Sequence, residues 1–216
     1  LSGRDNFRPL DEAPFTNEFF TPEFVDAFLM APQENKDKLL DDQLLTSDGN
    51  TPNYLNAFYQ ELYLDRFYLK RFAPFEIYPM RWLKKIEKRE DEYRVLASHN
   101  LYETQEEYKA DMIILATGFK TQLPPFMSEL YSNFCFDYKE RPLINADYSI
   151  QTNTSMAGKI FAVNFSRHCH GIADPQTSLM AYRSSVIINS LLNENMVSTE
   201  KDHHEMMNFL YFNQKH

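Results

Sequence analysis

The chain has 216 residues, 43% hydrophobic and 15% aromatic, enough for one large domain or two small ones with a sizeable core, so disorder of the whole chain is excluded. A net charge of −9 argues against nucleic acid or an anionic membrane surface as a main partner, because both are met by clustered Lys and Arg. Two cysteines, Cys135 and Cys169, build no disulfide framework and form no C-x-x-C pair, which points to a reducing, cytoplasmic setting. The longest strongly apolar run, residues 112–116, is far short of the roughly 20 residues of a bilayer span, and no signal peptide pattern opens the sequence, so a soluble protein is expected.

The first residue is Leu1, and the opening Leu-Ser-Gly-Arg reads as a strand end running into a loop, as in a fragment. The five glycines form neither G-x-G-x-x-G nor G-x-x-x-x-G-K. A nucleotide-binding parent would therefore carry its main phosphate cradle elsewhere.

Taken in chain order, Thr21-Pro22 is an N-cap followed by a first-turn proline, and Phe24, Val25 and Phe28 share one helical face. A second helix is expected over 33–45, stopped by turn chemistry at Asp48-Gly49. Thr51-Pro52 repeats the start signal, and the spacing of Leu55, Phe58, Tyr59, Leu62 and Tyr63, continuing through 66–69, predicts an amphipathic helix of four to five turns. Alternation over 81–87, 93–99 and 101–108 predicts a small antiparallel meander. The runs 109–118 and 159–164 read as strands buried on both faces of a parallel sheet. Helices are expected from Pro175 or Gln176 to Leu192 and over 200–212, the latter holding His203 and His204.

Two constellations are easily drawn and poorly supported. His168, Cys169 and His170 lack the three or four suitably spaced ligands of a zinc site, so no metal is expected. A Ser178, His170, Asp174 triad has no G-x-S-x-G elbow behind it. A third is better founded. Thr117 and Gly118 close an apolar run with small residues that let a dinucleotide approach the backbone. Beyond Gly171, the chain passes through Asp174-Pro175 into a helix whose first N–H groups can stabilise the anionic edge of a reduced flavin. The alternative for that segment is an ordinary Asp-capped core helix.

These residues carry a resemblance. DEAPFTNEFFTP from Asp11, LTSDG from Leu45, ATGF from Ala116 and HGIADPQTSL from His170, with Arg4 and Arg183, resemble the C-terminal part of the flavin-dependent N-hydroxylating monooxygenases of siderophore biosynthesis. That group contains L-lysine 6-monooxygenase, L-ornithine 5-monooxygenase and the diamine N-monooxygenases, and the lysine and diamine branch matches better. The resemblance implies an α/β fold: part of a flavoprotein with two Rossmann-like dinucleotide domains, a helical substrate segment and a small antiparallel meander. It divides the chain into the end of an NADPH-domain strand (1–10), a substrate segment (11–51), the rest of the NADPH domain (52–112) and the C-terminal part of the FAD domain (113–216). It also implies that NADPH reduces FAD, that O2 adds to give a C4a-hydroperoxyflavin, and that the neutral terminal amine of lysine, ornithine or a diamine takes the distal oxygen. No nucleophile or triad is needed, so no catalytic side chain is assigned.

Carried over by position, Arg4 is similar to the family arginine near the NADP 2′-phosphate, with Arg8 a second candidate. Asn17 matches the asparagine that meets substrate and nicotinamide, although a turn role in a Pro-rich loop explains it too. Ser47 stands where ornithine enzymes have asparagine, and Ser178 matches a serine near substrate. Thr177, Ser178, Leu179 and Asp174 join Thr117 and Gly118 as flavin contacts. Any basic residue reading an α-carboxylate, together with both glycine cradles, is expected in an N-terminal half of the same enzyme. The 216 residues alone are then expected to be inactive and to retain neither FAD nor NADPH, and apolar faces left uncovered point to a homo-oligomer. A non-catalytic binding or regulatory module on a degenerate dinucleotide fold is the competing reading.

Overall fold

In the computed structural model, which describes residues 1–71, 76–199 and 206–210, the chain passes three times between two units. Unit 1 takes Leu1–Leu10 with Asp48–Phe119, and unit 2 takes Asp11–Ser47 with Lys120–His216.

Unit 1 is built on the expected meander. Strands β1 (Arg81–Arg89), β2 (Glu92–His99) and β3 (Thr104–Ala110) pair antiparallel in the order β1-β2-β3, with a register shift between Leu83 and Lys85. Alternate residues Val95, Ala97 and His99 of the central strand are buried, as a half-covered sheet requires. Arg81 grips Glu106 across the sheet with two bonds of 3.0 and 3.2 Å. The first residues run beside the entry to β1: Ser2 N–H donates to the Tyr78 carbonyl at 2.9 Å, and Arg81 N–H donates to the Ser2 carbonyl at 2.8 Å. A parallel bridge between Pro9 and Asn50 brings Gly49 so close to Leu10 that an added Cβ would lie 2.5 Å from its backbone, so glycine is required there.

Pro52 opens the helix of unit 1, Pro52–Tyr63, which passes into a π turn over Leu64–Tyr68 closed by Leu69 N–H to the Leu64 carbonyl at 2.8 Å. Its length matches the expected period, but none of its residues is buried. Phe58 meets Phe7 edge-on and stacks with Tyr54, while Tyr59 and Phe67 stay exposed. The expected parallel strand over 109–118 is a correction. Residues 109 and 110 finish β3, and 112–119 carry no ladder, with Ile114 85% exposed. A buried parallel strand takes its hydrogen bonds and its cover from neighbours, and no described strand lies beside this run.

Unit 2 is mostly helical at its start. Numbering helices in chain order, α1 is Pro22–Met30, α2 Gln33–Asp42, α3 Leu44–Ser47, α4 the unit 1 helix Pro52–Tyr63, α5 Arg167–His170 and α6 Met180–Leu192. The Thr21 side chain caps α1 by accepting from Phe24 N–H at 3.2 Å, as its Thr-Pro signal predicts. The expected helix over 33–45 breaks at Gln43 into α2 and α3.

Both α1 and α2 pack on α5. One core gathers Val25, Ala173 and Leu179 with Phe20 and Leu29; a second gathers Phe134, Ile144, Ile150 and Cys169. The run 159–164 corrects a second expected parallel strand: Ile150 N–H donates to the Ile160 carbonyl at 2.8 Å and Ala162 N–H to that of Tyr148 at 2.9 Å, an antiparallel contact. Of the helix expected over 200–212, residues 200–205 and 211–212, with His203 and His204, lie outside the described residues. Residues 206–210 are not helical and are held by Glu18, whose carboxylate accepts from Met206 N–H at 2.9 Å, and by Phe209 against Phe24. No helix among the described residues is long and apolar enough to cross a membrane.

Candidate functional site

The segment from Ser166 to Leu179 is the most tightly built part of unit 2. Helix α5 ends at Gly171, whose φ of 81° and closeness to the Phe24 and Phe28 rings admit glycine. The buried carboxylate of Asp174 then turns inward, accepting from Ser166 N–H at 3.0 Å and from its hydroxyl at 2.9 Å. Burial raises this acid even though Ser166 favours its charged form. Arg183 lies over the same turn, donating to the Asp174 carbonyl. The Asp174 carboxylate is thus committed to Ser166, and α6 begins without a side-chain cap.

A 3-10 turn over Thr177–Leu179 leads into α6 without a side-chain cap. Leu179 is buried in the Val25 core, while Thr177 and Ser178 are exposed. Asn17 sits in the 3-10 turn Pro14–Phe20, itself exposed, three residues before Phe20 of the same core. The fold thus draws the segments of Asn17 and Ser178 onto one cluster. Ser47, the last residue of α3, is tied to the first residue of α5: Arg167 Nη2 donates to its Oγ at 2.8 Å. Arg167 also lines an open cleft of about 920 Å³ with Lys120, Asn164, His168, Asp174 and Pro175.

The histidines are structural in their surroundings. His168 is buried with Nε2 2.8 Å from the Pro142 carbonyl, and burial lowers its pKa. His170 is fully buried and stacked on Tyr148 at 4.2 Å. Neither one forms part of a three-ligand group, and no such group occurs among the described residues.

In unit 1, Arg4 lines a cleft of about 440 Å³ with Asp5, Asn6, Phe7, Asn56 and Tyr59. Arg8 is not among its lining residues and makes an exposed ion pair with Asp5 at 3.9 Å. Thr117 and Gly118 are exposed, and Gly118, at a φ of 78°, has nothing within 4 Å of where a Cβ would stand.

This donor set fits the expected nucleotides. Uncapped amides and hydroxyls at the start of a 13-residue helix suit the anionic edge of a flavin. A guanidinium beside aromatic rings suits an adenosine phosphate.

A family model described as L-lysine 6-monooxygenase/L-ornithine 5-monooxygenase matches residues 1–121, more than half of the chain. The chain belongs to this family. Over 196 residues it is 34% identical to the L-lysine N6-monooxygenase of Escherichia coli, covering 91% of this chain and 46% of that protein. Among solved structures, its fold is similar to the ornithine N-hydroxylase KtzI of Kutzneria sp. 744 with reduced FAD, NADP+ and L-ornithine, at a TM-score of 0.80 and 21% identity over 88% of this chain and 46% of that one. It is likewise similar to the FAD-bound cadaverine monooxygenase DfoA of Erwinia amylovora, from the desferrioxamine pathway, at a TM-score of 0.71 and 22% identity over 92% and 47% of the two chains. The chain thus spans just under half the length of these relatives and carries part of their α/β fold.

Sequence reasoning missed three links in this family member: Ser166 to Asp174, Ser47 to Arg167, and the Asp37 cluster. In the last, a buried carboxylate on α2 takes Arg141 and Lys139, each at 2.8 Å, and the Tyr138 hydroxyl. A signal existed for one end of it, because Asp137 and Arg141 are spaced to close a turn on themselves.

Proposed function

We propose that the chain is the C-terminal part of an FAD- and NADPH-dependent monooxygenase that N-hydroxylates the terminal amine of lysine or an aliphatic diamine, or of ornithine, for hydroxamate siderophore synthesis in the cytoplasm. The observation that carries this reading is the gathering of Asn17 and the Thr177-Ser178 turn on the Phe20, Val25, Ala173 and Leu179 core. Bound FAD, reduced by NADPH, supplies the oxygen-transfer chemistry. The side chains of this chain bind and orient. The Asn17 amide oxygen accepts from the neutral amine, the Ser178 hydroxyl offers a second polar contact, and the first amides of α6 face the flavin. Arg4 holds a phosphate of the nicotinamide nucleotide, with Arg8 nearby in sequence. Among the family's amines, lysine is favoured by the 34% identity to a lysine enzyme, against 23% and 27% to two putrescine enzymes and 27% to an ornithine enzyme.

The exposed tyrosines of α4, Tyr54, Tyr59 and Tyr63, favour the second reading, a module that only binds a partner. Supplying the chain with an N-terminal nucleotide-binding half of the kind its relatives carry separates the two. Amine-dependent NADPH oxidation should appear with lysine or cadaverine under the first reading. Oxidation unchanged by any amine supports the second.

A further inference from the structure

We infer that Tyr59 and Asn56 of α4 select the base of an adenine nucleotide in the unit 1 cleft, Tyr59 as its stacking face and Asn56 as the reader of its edge. Under the proposed function, on which this part rests, the nucleotide is the adenosine end of NADPH and Arg4 meets its phosphate. Leu55, Phe58, Tyr59 and Leu62 recur at the spacing of one helical face, which an ordinary globular helix buries. On α4 no residue is buried, and this face lines an open cleft of about 440 Å³, a size that suits a small molecule.

The polar groups around the cleft decide what fits it. Among the described residues the Arg4 guanidinium makes no ion pair or hydrogen bond, while the acid in the lining, Asp5, is paired with Arg8 at 3.9 Å. Arg4 and Arg8 against Asp5 leave a positive balance that favours an anionic group. Two amides border the same space. The Asn6 oxygen is taken by Phe7 N–H at 2.8 Å, whereas the Asn56 amide is unpaired among the described residues. A free carboxamide sets an acceptor beside a donor, the complement of the N6 amino group and N7 of adenine. Of the rings, Phe58 meets Phe7 and Tyr54, while Tyr59 is 68% exposed and meets no ring among the described residues. Asn56 and Tyr59 stand three positions apart on α4, so the reader and the flat face are neighbours on the helix surface. Stacking on an aromatic face is open to any base, so the ring holds and the amide chooses.

Trp82, the one tryptophan of the chain, packs on Gly3 between the lining residues Ser2 and Arg4: an added Cβ there would lie 2.4 Å from its ring. Its fluorescence therefore reports filling of the cleft in the 216-residue chain without any turnover, and calorimetry on the same samples reads binding independently of it. Titration with 2′,5′-ADP should saturate. The counterpart carrying hypoxanthine, whose carbonyl replaces the N6 amino group, should bind about ten-fold more weakly. Tyr59→Ala should weaken both nucleotides about ten-fold, with Tyr59→Phe close to the parent. Asn56→Ala should bring the two nucleotides to about equal affinity, and Arg4→Gln should weaken both while keeping their ratio. All three side chains are exposed, so each variant should melt with the parent. No saturable binding of 2′,5′-ADP, equal affinity of the parent for the two bases, or parent-like binding by Tyr59→Ala would overturn the inference. A chain that selects adenine yet supports no hydroxylation contradicts the proposed function and leaves the base site standing.

Discussion

Asp174 holds Ser166 twice, through the amide at 3.0 Å and the hydroxyl at 2.9 Å, closing the loop that delivers the chain from α5 to α6. Removing this carboxylate leaves the Ser166 amide and hydroxyl buried without a partner. Asp174→Ala should therefore cost about 2–4 kcal/mol in urea denaturation, with Asp174→Asn intermediate because it keeps one acceptor oxygen. A change below about 0.5 kcal/mol would mean the loop is held by packing alone.

The buried ring of His170 makes stability depend on pH. Burial lowers its pKa from 6.5 to about 4, against a smaller opposing pull from the backbone at Ala146 and Ser166. The unfolded chain thus binds the proton more readily than the folded one. Its contribution is fully present above the unfolded value and is lost as pH falls from 6.5 through about 4. His170→Phe keeps a ring against Tyr148 and should flatten that window in denaturation curves taken on either side of it.

Gly171 and Gly158 form a matched pair for substitution. At Gly171 an alanine methyl meets the Phe24 and Phe28 rings at 3.1 to 3.4 Å with φ at 81°, whereas at Gly158 nothing lies within 4 Å and the left-handed region is not used. Gly171→Ala should cost about 1–3 kcal/mol, while Gly158→Ala should be neutral or slightly stabilising. Equal effects in thermal melts would contradict the geometry.

The Asp37 cluster should resist acid better than an ordinary surface pair. Burial pushes its carboxyl up, but hydrogen bonds from Lys139, Tyr138 and Arg141 together hold it well below the usual carboxylate range. A depressed folded value contributes stability above the unfolded value of 3.8, lost as pH falls through the lower folded one. Asp37→Asn should cost about 1–3 kcal/mol near neutral pH and progressively less at low pH. A cost that does not change with pH would remove the ionic explanation.

What could be read from the sequence was what neighbouring residues decide. Thr21-Pro22 and Thr51-Pro52 announce α1 and α4 because caps and first-turn prolines act within four residues. Alternation around Val95 and Ala97 announces the meander because hairpin strands find their partners nearby in sequence. The run at 112–119 misled because its composition describes a cover that no described strand of this chain provides. The site was legible only at its ends. Asn17 and Ser178 are proposed from resemblance alone, while the Ser47 to Arg167 bond joins residues 120 positions apart, and nothing local marks either one for the other.

The claim that this chain supplies the amine site of an N-hydroxylating monooxygenase is tested most directly by the fate of oxygen. With an N-terminal nucleotide-binding half, NADPH, lysine or cadaverine, and isotopically heavy O2, the account predicts a hydroxylamine carrying one heavy oxygen atom, its yield collapsing in Asn17→Ala while NADPH still reduces the flavin. Hydroxylamine without heavy oxygen, or a yield indifferent to Asn17, would contradict it.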